Sequence, residues 1–180
     1  MYKRQVHYVA INQTLRKDEA FKALADGTGI PVSEFEQLDK DPAKFGIPSQ
    51  FPSLEGYLHP GEYRFKTDAT AEDIIREMVD KTKADLKSAG VTGDQHTFDV
   101  LTIASILEFE ATPQDYRAVA GAIHNRIDNP GGETNGYLQS DATVAYGLGE
   151  KTYQITAEQK QDASNKYNTF ANKGLPEGPI

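Results

Sequence analysis

The sequence predicts an α+β fold, mainly helical, with short strands and long polar loops. Apolar residues recur at helical spacing in several segments, most clearly over residues 70–89. Short alternating runs at 6–11 and 62–65 read as strands. After Asn129-Pro-Gly-Gly no long periodic segment remains, and Gly, Pro and Asn break the chain into short pieces.

In order, residues 6–11 form the first strand, and 14–25 a helix ended by Gly27 or Gly29. Residues 33–38 read as a short helix, with Ser33 as cap and Glu36 three residues on. The Pro- and Gly-rich stretch 42–60 reads as an internal boundary or hinge before the strand at 62–65. Ile74, Ile75, Met78, Val79 and Leu86 line one face of the long helix at 70–89, which Gly90 stops. Residues 97–110 and 113–128 are expected as two packed helices, the second carrying Val119, Ala120, Ile123 and Ile127. Beyond them, 137–141 is extended, 142–146 a helical turn, 157–163 a short polar helix, and 167–180 irregular.

Composition narrows the function. With 38% hydrophobic and 26% charged residues the chain is globular, and 180 residues suffice for a real core. A net charge of −8 argues against nucleic acid and anionic membranes as partners. Cysteine is absent, so there are no disulfides or thiolate metal sites, and the four histidines lack ligand spacing. No metal and no cofactor is therefore expected. There is no GxSxG elbow, Walker loop or GxGxxG, no apolar run of membrane-spanning length and no leader, so the chain reads as soluble.

The run Ala104-Ser-Ile-Leu-Glu108-Phe-Glu110 puts two carboxylates at the end of an apolar helix. A second helix is expected to open just beyond, with Thr112 as N-cap, Pro113 in the first helical position and Asp115 in the first turn. A partly desolvated carboxylate at a helix C-terminus is biased towards its protonated form, as a general acid requires. Residues two apart on a helix point about 200° away from each other, so one of the pair at most faces a given cleft. Glu110 shares its face with Leu107, Ile106 and Ile103 and is the stronger candidate; Glu108 is a supporting one. Two solvated residues at a frayed helix end remain the competing reading of this helix by itself.

Three polar-aromatic loops are expected to converge on that helix end. They carry Glu55 and Tyr57; then Gln139, Ser140, Asp141, Thr143 and Tyr146; then Tyr167, Asn168 and Thr169. Such residues suit a sugar, which offers hydroxyl edges for hydrogen bonds and apolar faces for aromatic contact. Turn-forming hydrogen bonds are the alternative role for each loop taken singly. Asn125-Arg126 on the second helix is a candidate polar clamp, with a solvated helix face or a buried Asn that ties down loops as the alternative.

Five motifs resemble those of the MltG (YceG-like) endolytic murein transglycosylases, in the family's order, over about residues 54–180. They are Leu54-Glu-Gly-Tyr-Leu-His-Pro-Gly-Glu-Tyr-Arg-Phe, Ala104-Ser-Ile-Leu-Glu-Phe-Glu-Ala, Val119-Ala-Gly-Ala-Ile-His-Asn-Arg-Ile, Leu138-Gln-Ser-Asp-Ala-Thr-Val-Ala-Tyr-Gly, and Tyr167-Asn-Thr-Phe with Gly174-Leu-Pro-Glu-Gly-Pro-Ile. The resemblance implies a lytic transglycosylase, a glycan lyase that cuts the MurNAc-β-1,4-GlcNAc bond of peptidoglycan strands and leaves 1,6-anhydroMurNAc ends. It places the family's catalytic glutamate on Glu110. It further implies a remnant of a LysM-like module and linker at 1–50 and a YceG-like catalytic domain at 51–180, the whole being a soluble piece of a longer chain. The parent would be held by a single-pass anchor at the extracytoplasmic face of the bacterial membrane, with cell-wall synthesis proteins as partners. His59-Pro-Gly-Glu, Ala142 and Phe109 depart from the family's usual residues. A hydrolytic muramidase with Asp141 or Glu55 as base, and a peptidoglycan-binding or scaffolding module, stand as alternatives.

Overall fold

The computed structural model describes residues 6–152 and 154–180. The first five residues of the expected 1–50 region lie outside them. The fold is α+β and mainly helical: the described residues hold seven α-helices and one two-stranded sheet. Two compact units divide between Asp94 and Gln95.

In the first unit, β1 (Val6–Ile11) pairs antiparallel with β2 (Gly61–Lys66), with Val9 opposite Tyr63 and His7 opposite Phe65. Side chains alternate across a strand, so this register buries Val9, Ile11, Tyr63 and Phe65 on one face and leaves Tyr8 and Arg64 on the other. Helix α1 (Lys17–Thr28) ends at Gly29, whose left-handed φ of 79° lets its N–H reach Ala25 O. Gly27 lies inside α1 and serves close packing: a Cβ there would stand 2.6 Å from Val9 Cγ2.

Helix α2 (Val32–Asp39) starts after Pro31, and no side chain caps it, so Ser33 does not take the expected role. The 42–60 stretch folds as a short 3-10 helix (Pro42–Phe45) and turns that pack into the first unit. Phe51, Leu54 and Tyr57 are buried there, and Asp39 accepts a hydrogen bond from the Leu54 N–H at 2.7 Å. These residues pack into the core of the first unit, and the two compact units part after Asp94. Helix α3 (Ala71–Ser88) is capped by Thr70, with Asp73 closing a reciprocal capping box.

The second unit is built on α4 (Asp94–Glu110) and α5 (Tyr116–Ile127), followed by α6 (Asp141–Gly147) and α7 (Ala157–Gln161). Ile103 and Ile106 of α4, Ile123 of α5, Leu138 and Ile180 form its core. Val119, Ala120 and Ile127 pack against it, on the face the 3.6-residue period assigns them. Helix α5 opens three residues later than expected. The Thr112 hydroxyl donates to the Asp115 carboxylate at 2.6 Å instead of accepting from the backbone, and residues 112–115 close as a turn. Among the described residues no helix is long and apolar enough to cross a membrane.

Gly27→Ala should destabilise the first unit by about 1–3 kcal/mol, the range for overpacking a tight contact. Urea unfolding monitored by circular dichroism reads the loss, and an unchanged midpoint would show that α1 and β1 are not locked at this point.

Candidate active site

Glu110 is the last residue of α4, one turn beyond the buried Ile106 and on the same face. On α5 the positions Val119, Ala122, Ile123 and Arg126 follow the i, i+3, i+4, i+7 pattern of a single face. The segment Leu138-Gln139-Ser140 completes an open cleft of about 190 Å³ lined by these residues. Its walls are largely aliphatic. Its polar groups are Glu110, Arg126, Gln139 and Ser140.

The Ser140 hydroxyl donates to Glu110 Oε1 at 2.6 Å, short enough for a charge-assisted bond. Thr169 fixes the segment that carries Ser140: its carbonyl accepts from the Gln139 N–H, and its hydroxyl from the Ser140 N–H, both at 3.0 Å. The Thr143 hydroxyl donates to Ser140 O and lies 2.8 Å from the Thr169 hydroxyl. Arg126 Nη1 donates to Leu138 O at 2.7 Å. Between these anchors Gln139 adopts φ 60°, a left-handed conformation that costs a non-glycine residue about 1 kcal/mol. The surrounding hydrogen bonds hold it there, and it is this bend that turns the Ser140 side chain towards α4.

Of the residues singled out in the sequence, Glu110, Gln139 and Ser140 meet in the cleft. Glu110 is solvent-exposed, not partly desolvated as expected, because the cleft is open over the helix end. Glu108 points elsewhere, as the 200° argument requires, and accepts from the Tyr116 hydroxyl at 2.7 Å. That bond pushes the Tyr116 hydroxyl above its ordinary pKa.

Asn125 is exposed and off the cleft, and its neighbour Arg126 takes the lining position. The α5 periodicity held that signal, since Arg126 falls one turn beyond Ile123. Asp141 is paired with Lys160 Nζ at 2.7 Å. Thr143, Asn168 and Thr169 are at most 1% exposed and organise the loops from within. The buried Asn168 amide commits both N–H donors, to Gln159 O and Asp162 O, and accepts from the Phe170 N–H, so it serves the loops from within. Tyr146 and Tyr167 lie half-buried with ring centroids 4.7 Å apart, packed on the core outside the cleft lining.

Glu55 and Tyr57 belong to the first unit. Buried Glu55 accepts from the Lys17 N–H at 2.9 Å, serving the N-terminus of α1. Tyr57 is 1% exposed and edge-on to Phe51, and burial, with the Asp94 charge, pushes its hydroxyl up to about 12. Among the described residues no group of three or more His, Asp or Glu side chains is placed to hold a metal ion.

The whole chain, residues 1–180, matches the YceG-like family model. It belongs to the YceG-like family. A yceG-like protein from Listeria monocytogenes, lmo1499, known from a crystal structure, is similar to it at a TM-score of 0.80 and 29% identity. The match covers 96% of this chain and 62% of that one, so the chain spans less than two thirds of the Listeria YceG-like protein. No curated protein matches it.

Thr169→Val keeps the shape of the side chain and removes its hydroxyl. The buried Ser140 N–H then lacks an acceptor, and a cost of about 1–3 kcal/mol follows. Thermal unfolding of the variant should fall accordingly; unaltered stability would remove Thr169 from the scaffold of this site.

Proposed function

We propose that this chain carries the reaction centre of an endolytic peptidoglycan lytic transglycosylase, with Glu110 as its general acid and base. The observation that carries the reading is one carboxylate, oriented by a serine hydroxyl, in an open cleft with aliphatic walls. Protonated Glu110 donates to the glycosidic oxygen between MurNAc and GlcNAc as that C1–O bond breaks. Its carboxylate then takes the proton of the muramyl C6 hydroxyl while O6 bonds to C1, closing the 1,6-anhydro ring. No water is consumed, and the glutamate ends as it began. The internal hydroxyl replaces a bound nucleophile and supplies the advantage of proximity.

A hydrolytic muramidase needs a second carboxylate at a defined separation from the first. Glu110 is the one carboxylate among the described residues that line the cleft. Asp141, the base considered for that route, is tied to Lys160, and Glu55 accepts from the Lys17 N–H in the first unit. These partners favour the single-acid reaction. Gln139 and Ser140 are the polar groups positioned to face charge that develops at the sugar ring.

We assign residues 51–180 to the catalytic domain. We read the β1-α1-α2 stretch, to which β2 pairs back, as derived from a LysM-like module. The reaction belongs at the extracytoplasmic face of the bacterial membrane, where glycan strands and cell-wall synthesis proteins are found.

Incubation with isolated glycan strands, followed by mass spectrometry, should give 1,6-anhydromuramyl ends. Glu110→Gln should lower the rate by about 10²–10⁴-fold, the range for losing an acid–base group. Ser140→Ala should lower kcat about tenfold with little change in KM, the loss of one charge-assisted hydrogen bond. Reducing muramyl ends would mark a hydrolase, and strand binding without any product would mark a binding module.

A further inference from the structure

Arg126 is the cationic member of the cleft, and nothing in the reaction described above uses it. One N–H of its guanidinium is fixed on Leu138 O at 2.7 Å. Among the described residues no carboxylate forms an ion pair with it, although acidic residues outnumber basic ones 27 to 19. Glu110 lies in the same cleft yet is held by Ser140. Two opposite charges thus share about 190 Å³ while each is held by a different partner. A guanidinium has five N–H donors in a planar fork suited to a carboxylate, and the backbone contact occupies one edge.

From this we infer that Arg126 is the seat for a carboxylate borne by the lactyl arm of the muramyl sugar, and that this contact sets which glycosidic bond meets Glu110. The inference rests on the transglycosylase reading and adds the question of register. A peptidoglycan strand alternates two sugars that differ in the lactyl ether at C3 of the muramyl unit. The anhydro product requires C1 of the muramyl sugar, not of its neighbour, at the acid. Aliphatic walls such as Val119 and Ile123 do not distinguish the two rings. A fixed positive charge does, because of the two sugars it is the muramyl unit that carries an acid. That acid is either the lactyl carboxylate, where the arm is bare, or a carboxylate of the peptide attached to it.

The test uses the whole chain with Glu110→Gln, so that saccharides bind without turnover, and isothermal titration calorimetry. Three muramyl-containing tetrasaccharides are compared: free lactyl carboxylates, lactyl methylamides, and arms bearing an alanyl-glutamate peptide. The free acid should bind about tenfold more tightly than the methylamide, as expected for a charge-assisted hydrogen bond. Adding Arg126→Gln should reduce that ratio to near one while affinity for the methylamide stays the same, and Arg126→Lys should restore part of it. Peptide-bearing arms that match the free acid identify the peptide carboxylate as an equivalent ligand, and arms that match the methylamide restrict the seat to the lactyl group.

Equal affinities for all three in the parent protein would overturn the inference, as would no binding to any. So would an equal loss for all three in Arg126→Gln, which would leave Arg126 acting through Leu138 O alone. A tenfold preference in a protein that yields no anhydro ends would sustain the carboxylate seat and contradict the reaction instead.

Discussion

The hydrogen bond from the Ser140 hydroxyl to Glu110 Oε1 ties the last residue of α4 to a segment thirty residues further on, and the cleft is arranged around it. Each side of the bond has its own support. Ile103 and Ile106 anchor α4 in the core, so the helix end is fixed in rotation as well as position. Thr169, Thr143 and Arg126 hold Leu138-Gln139-Ser140 by its backbone, so the bend at Gln139 persists although it is locally unfavourable. Strain at one residue is thereby exchanged for a defined direction of one hydroxyl, a common arrangement where a side chain must be aimed. Exposure of Glu110 fits the same plan: hydrogen bonding orients the carboxylate while it stays open to solvent.

Much of the fold is legible in the sequence because it rests on periodicity. The strands expected at 6–11 and 62–65, the long α3 and the apolar faces of α4 and α5 follow from spacing alone, as does the separation of Glu108 from Glu110. Local cap chemistry is read less well. Thr112 and Pro113 have the residue types of a helix start, yet the Thr112 hydroxyl has a second acceptor within reach in Asp115, and that pairing closes a turn first. Gly27 has the residue type of a helix stop and serves instead to let α1 approach Val9.

The site is only partly legible for a related reason. Ser140, Thr143, Asn168 and Thr169 are all short polar loop residues, indistinguishable by type. Ser140 turns towards the cleft, while the other three satisfy backbone and hydroxyl groups inside the loops. Backbone polar groups in a buried loop need partners, and side chains that supply them resemble ligand-binding residues until the fold is known. Glu55 illustrates the same point at the N-terminus of α1. Arg126 is the opposite case. Its position follows from the period that places Val119 and Ile123, which sets Arg126 and not the neighbouring Asn125 at the cleft.

A crystal structure of the Glu110→Gln chain with a muramyl-containing oligosaccharide would test the central claim most directly. The account predicts a strand lying in the cleft, with the oxygen of a MurNAc-GlcNAc bond within hydrogen-bonding distance of the residue 110 side chain and Ser140 still engaged with it. A saccharide bound elsewhere on the chain, or in the cleft with its glycosidic oxygens beyond reach of residue 110, would contradict it.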